Sequence, residues 1–237
     1  MKKFGFTLAE ILITLGIVGV VAALTIPTLS QNANKQAYAK ALSVAVSDFE
    51  TAMKNMIERE DVDTLKETPA WRNCGGVLDI RSSNNDINRF VGDLSTYLPI
   101  DSFTITQRDY HELNSQNSVS IGRIKLKTKK GVEYMITLRN DASQDENTAS
   151  ANGITYVERA ALVNIDVNGA NNPNMIGRDL FFYELGNDGT LYPKGSKDYN
   201  FYHDNGAAAD NFANGCTGNN DSNCSEYLRQ NGYKMDY

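Results

Sequence analysis

Hydrophobic residues are spread very unevenly along this chain. Phe6 to Leu29 is an almost unbroken apolar run, Gln31 to Glu60 carries apolar residues in steps of three and four, and the remainder alternates short β-like runs with stretches rich in Asn, Asp and Gly. At about 1.5 Å per residue the first run, as a helix, is long enough to cross a hydrocarbon core of roughly 30 Å. The second has no Gly or Pro, and Tyr38, Leu42, Val46, Phe49, Met53 and Ile57 fall on one face of a helix. That stripe predicts packing on the protein's own sheet, since it is too short for several coiled-coil heptads.

Further on, the apolar residues Val132, Tyr134, Ile136 and Leu138 fall on alternate positions. Together with Val119 to Lys127 they flank Thr128-Lys129-Lys130-Gly131, a hairpin signal. Val119 and Ile121 stand in one phase, Ile124 and Leu126 in the other, so a bulge near Gly122 is expected to reconcile them. Ala161 to Val167 predicts a third strand, and Leu180 to Leu185 with Thr190 to Tyr192 flank Asn187-Asp188-Gly189, a second hairpin. The economical architecture is α+β: a long N-terminal helix packed on a small antiparallel sheet. Asp61 to Asn117, with Trp71, Cys74 and Gly75-Gly76, reads as a loop-rich insert, and Tyr227 to Tyr237 as a short helix and turn docking the chain end.

Composition narrows the function classes. The 237 residues suffice for one globular domain plus an appended segment. Net charge is -6, from 29 acidic and 23 basic residues with no long run of either sign, so nucleic acid is not an expected partner. Lys2 and Lys3 precede the apolar run and the next basic residue is Lys35, which predicts a cytoplasmic N-terminus and an extracytoplasmic remainder. An ordinary cleaved signal sequence is the competing reading, with Ala22 and Ala23 as its small residues. Against it stands Glu10, a carboxylate near the start of the apolar run, where ionisable groups are costly and usually functional. A cut between Gly5 and Phe6 would instead create an amine at Phe6 that complements Glu10 and would leave the apolar helix on the mature protein.

Gly5-Phe6-Thr7-Leu8-Ala9-Glu10 behind a short basic leader resembles the processing signal of type IV pilins and type II secretion pseudopilins. The resemblance implies that a prepilin peptidase of the inner membrane cuts after Gly5 and methylates Phe6. It also implies that Glu10 of one subunit meets the N-terminal amine of a neighbour, so that a charge expensive in lipid is satisfied by assembly. Pro27 falls where that family commonly has a helix-bending proline, and Gly16 and Gly19 would ease close helix packing. The organisation expected is a leader (1–5), a transmembrane assembly helix (6–29), an amphipathic helix (30–60) and a β-rich globular domain (61–237). The implied partners are copies of this chain or homologous pilin-like subunits. Secretion pseudopilus and type IV pilus both fit, and a minor or tip subunit acting in adhesion or DNA uptake is the alternative.

Two further features call for chemistry. Asp166-Val167-Asn168-Gly169, with Asp179 beyond a turn, supplies hard oxygen ligands on a tight backbone, as calcium sites do. The stretch also resembles a loop that binds calcium in some pseudopilin relatives. Asx and Gly residues build turns on their own account, Asn-Gly recurs at Asn152, Asn205, Asn214 and Asn231, and the EF-hand spacing is absent. Cys216 and Cys224 are close in sequence, and a bridge between them would contribute about 2–3 kcal/mol. The resembled family often pins a C-terminal loop in this way. Cys74 is then the odd thiol, its pairing with either of the others left open. His111 and His203 stand apart in polar surroundings, without metalloprotease, nucleophile-elbow or phosphate-loop spacing, so an enzyme is not expected.

Overall fold

A computed structural model describes residues 7–75, 78–79, 81–111, 118–139, 157–196, 216 and 223–237. The first element is α1, Leu8–Arg59, and the chain divides into two compact units, residues 1–37 and 38–237. In the first unit the large aliphatic side chains described from Leu8 to Leu29 are exposed, with Leu8 at 75% and Leu24 at 72%. This stretch is long and apolar enough to cross a membrane. Two of its hydroxyls are satisfied internally: Thr14 and Thr25 donate to the carbonyls of Glu10 (2.8 Å) and Val21 (2.9 Å), which is what a helix without surrounding water requires.

In the second unit, α1 lies on a six-stranded antiparallel sheet of simple order: β1 (Ile100–His111), β2 (Ser118–Thr128), β3 (Glu133–Leu138), β4 (Arg159–Asp166), β5 (Leu180–Gly186) and β6 (Leu191–Pro193). Leu42, Phe49 and Met53 are buried, as the helical stripe predicts, and Ala39, Ala45, Ala52 and Met56 complete the face. Tyr38, Val46 and Ile57 flank it, half-buried. Full burial of a large apolar side chain is worth about 1.5–3 kcal/mol, so Phe49, Leu42 and Met53 with Ile124, Leu126, Tyr134, Ile136, Val163 and Leu185 dominate the core. The small alanines let helix and sheet approach closely; the Tyr134 hydroxyl donates to the Ala45 carbonyl at 2.8 Å. At the β5–β6 turn Gly189 has φ +80°, and a Cβ there would stand 3.2 Å from the Cβ of Met53, so both backbone and space require glycine.

The α+β architecture is the one read from the pattern, with two corrections. The described residues of the region 61–117 are not mainly loop. They include a 3-10 turn (Leu65–Glu67), α2 (Pro69–Arg72), α3 (Asn84–Leu94) and the twelve-residue β1. Ser83 caps α3, accepting from the Asp86 N–H, and Ile87, Phe90, Val91 and Leu94 bury one face, with Phe90 edge-on to Trp71. Nor is there a bulge at Gly122. The β1–β2 register is regular from Ser102↔Lys127 to His111↔Ser118, and the irregularity falls between Ile100 and Ser102. The two phases of β2 instead serve two cores: Ile124 and Leu126 face α1, while Ile121 joins Tyr110, Met135, Ile176 and Leu180 in a separate cluster. The distal half of the β1–β2 hairpin therefore folds back across the outer face of the sheet, and His111 bridges to Met175. At the other end α4 (Cys224–Gln230) docks on β5 and β6.

Candidate functional site

The N-terminal site begins with a helix cap. Gly5 and Phe6 lie outside the described residues, and the first described residue, Thr7, is the N-cap of α1. Its backbone N–H donates to Glu10 Oε2 at 2.8 Å and its hydroxyl donates to the same oxygen at 2.9 Å, while the Glu10 N–H donates back to Thr7 Oγ1 at 3.3 Å. This Thr-x-x-Glu arrangement is a capping box. The exposed carboxylate is held at the start of the helix, where the macrodipole favours negative charge. Sequence reasoning assigned Glu10 to assembly and missed its local work, although the Thr7-to-Glu10 spacing carries the signal.

The second site lies at the end of β4. Asp166 and Asp179 are both fully buried. Asp166 Oδ2 accepts from the Tyr110 hydroxyl (2.8 Å) and from Arg108 Nη1 (3.1 Å); Arg108 also donates to Glu133 (2.8 Å). The two Asp179 oxygens accept the backbone N–H groups of Asn174 (2.8 Å) and Met175 (2.6 Å), which closes the 166–179 loop on itself. Asn168 donates to the Tyr38 hydroxyl (3.3 Å) and to the Asn172 carbonyl (3.0 Å). Gly169 has φ +64°, and a Cβ there would lie 3.1 Å from the Gly131 carbonyl. Burial pushes the Asp166 carboxyl up to about 7, reinforced by the neighbouring Asp179. Asp179 is raised as well by burial, against the N–H groups that favour its anion. Lys125, buried on the same face, is lowered by burial and by Arg108. Sequence reading had no signal for Arg108, Tyr110 and Glu133, because the folded-back hairpin brings them to Asp166 from strands distant in the chain.

As a cation site the loop offers oxygens of the right kind. The Oδ1 atoms of Asn168 and Asn174 are buried without a hydrogen-bond partner, beside two buried carboxylates. Among the described residues no group of three acidic, His or Cys side chains gathers around a common point, so carbonyl and amide oxygens would have to complete the shell. Arg108 already supplies positive charge to Asp166.

Cys216 and Cys224 are joined, with Cα atoms 4.9 Å apart, and anchor the start of α4. The Cys74 thiol donates to the carbonyls of Ala70 (3.2 Å) and Trp71 (3.3 Å) in α2. His111 is exposed at the end of β1, and His203 lies outside the described residues. A cavity of about 170 Å³ between α1, α2 and α3 holds Glu60 and Asp93, whose carboxylates already accept from Tyr97 (2.5 Å) and Asn73 (3.3 Å). The chain matches no protein-family model, no curated protein and no solved structure.

Proposed function

We propose that this chain is a pilin-like structural subunit, cut after Gly5, methylated at Phe6 and held in the inner membrane with its N-terminus cytoplasmic until it is drawn into a filament. It acts by assembly and not as an enzyme. The observation that carries the reading is the start of α1: an exposed carboxylate, preoriented by a capping box, at the head of a helix whose apolar side chains are exposed along its first five turns and more. Lipid covers such a surface before assembly, and the apolar helices of neighbouring subunits cover it afterwards. The Glu10 to amine contact then satisfies the charge between subunits. The filament is a secretion pseudopilus or a type IV pilus, and a tip subunit for adhesion or DNA uptake uses the same anchor.

Two substitutions separate capping from charge pairing. Gln serves a capping box as Glu does, but carries no charge. Glu10→Gln is expected to leave membrane insertion and helix content intact while blocking incorporation into filaments; Glu10→Ala is expected to leave insertion intact and impair assembly while also losing the capping box. Normal filaments from Glu10→Gln would refute the charge pair. Mass spectrometry of the mature N-terminus tests the processing step, with methylated Phe6 expected and a start after Ala22 or Ala23 overturning it.

A second reading, calcium at the loop of Asp166, Asn168 and Asp179, is favoured by the two partnerless amide oxygens. It predicts that chelation lowers the melting temperature at pH 7.5; an unmoved transition removes it.

A further inference from the structure

The two edges of the sheet are treated differently. β6 is short and ends on Pro193, its Leu191 N–H donates to Glu50 (2.8 Å), and α4 packs against the residues that follow it: the Glu226 N–H donates to the Lys194 carbonyl (3.3 Å), and Asn223 lies 2.9 Å from where a Gly195 Cβ would stand. β1 is twelve residues long, contains neither proline nor lysine, and is exposed at 101–102, 104–107 and 109. Ile105, 37% exposed, is a large apolar side chain left open on an edge strand. Such an edge is a template for another strand.

Its outward-facing groups can be assigned. The His111 N–H donates to the Asn174 carbonyl (2.9 Å) and the His111 carbonyl accepts from the Ile176 N–H (2.8 Å), both on the side away from β2. The register is regular back to Ser102, so Phe103, Ile105, Gln107 and Asp109 also point their N–H and C=O groups outward. The loop at 174–176 closes the edge beyond His111.

We propose that the open edge of β1 pairs with β1 of a second copy of this chain, antiparallel and two-fold, centred on Thr104. This register is self-complementary. Phe103 lies opposite Ile105 twice on the α1 side, Thr104 meets Thr104, and Ser102 meets Thr106. Aromatic with β-branched and hydroxyl with hydroxyl are favourable cross-strand pairs. Centring on Ile105 would set Phe103 against Gln107, and centring on Thr106 would set it against Asp109. β6 is a poor partner for a neighbour's β1, because it is three residues long, its Leu191 N–H is taken by Glu50 and Pro193 has no N–H to give. One edge pair buries less than the roughly 1,200 Å² at which stable complexes begin, so single copies associate weakly and arrays of copies associate strongly. A polar helical filament has no two-fold axis relating its own subunits, so the contact joins copies in separate filaments or copies not yet assembled. It stands independently of the processing and assembly reading above.

The test uses the full chain in detergent at high concentration under a mild thiol oxidant, with the unsubstituted chain as the blank. Thr104→Cys is expected to form covalent dimers. Ser102→Cys and Thr106→Cys chains are expected to link to each other on mixing and neither to itself, because like residues would sit about 13 Å apart along the strands, beyond the roughly 7 Å a disulfide spans. Adding Ile105→Pro, whose N–H points outward and is not needed by β2, should abolish the Thr104→Cys dimer with Trp71 fluorescence unchanged. Monomeric Thr104→Cys chain, or self-linking by all three single variants alike, overturns the proposal; the mixing pattern decides it even if the proline variant fails to fold.

Discussion

Asp166→Asn tests the outer-face network most directly. In the folded chain the Asp166 carboxyl sits at about 7 because it is buried beside Asp179, against about 3.9 for a solvated aspartate. Between about pH 4 and pH 7 the folded state therefore holds a proton that the unfolded chain has released. Stability contributed by the protonated group is complete below about pH 4, falls as the pH rises through the window, and is level above it. Each unit is worth about 1.4 kcal/mol, so roughly three units give a decline on the order of 4 kcal/mol. For a domain of this size that is a fall in melting temperature on the order of 10 °C. Trp71, the chain's single tryptophan, is 1% exposed and reports the transition by fluorescence. Melting the full chain in detergent at pH 4.5, 6 and 7.5 should give a declining series for the native sequence. Asp166→Asn has no proton to lose; its series should be flatter, though lower at acidic pH because the Tyr110 and Arg108 contacts are weakened. Parallel series for the two proteins would refute the reasoning and mean that Arg108 keeps Asp166 ionised in the fold. Calcium bound at the same loop would favour the anion, and would raise the native protein's stability most near pH 7.5.

Two more outcomes follow from local geometry. Cys216→Ser or Cys224→Ser is expected to cost about 2–3 kcal/mol and to make the C-terminal residues from Cys224 onward the first site of limited proteolysis, because the bridge holds the start of α4; an unchanged digest and melting curve would count against that. Gly169→Ala is expected to destabilise by about 1–3 kcal/mol in denaturant titration, because φ is +64° and the new Cβ meets the Gly131 carbonyl at 3.1 Å; a neutral result would mean that the loop relaxes.

What the sequence made legible was whatever rests on local periodicity. Leu42, Phe49 and Met53 announce the buried face of α1, and the alternation from Val132 to Leu138 announces β3 with both neighbours in place. The 87, 90, 91, 94 spacing of α3 was equally readable, but the surrounding Asn, Asp and Gly residues masked it. β1 is harder, because an edge strand exposed on most positions shows no clean alternation. The meeting of Arg108, Tyr110, Glu133 and Asp166 was not readable at all. It depends on a hairpin turning back over its own sheet, and a phase change in β2 was its only trace, which suggested a bulge instead of a second core.

That strand with two allegiances divides the sheet energetically. Among the described residues the outer cluster has five buried members, Tyr110, Ile121, Met135, Ile176 and Leu180, beside the much larger core under α1. Lifting the distal hairpin would forfeit this cluster and the contacts to Asp166, while Ile124 and Leu126 stay seated in the main core. The amides of residues 107–111 and 118–122 should then exchange with solvent through a partial opening of lower free energy than that of the strands beneath, as one cooperative flap on an otherwise closed fold.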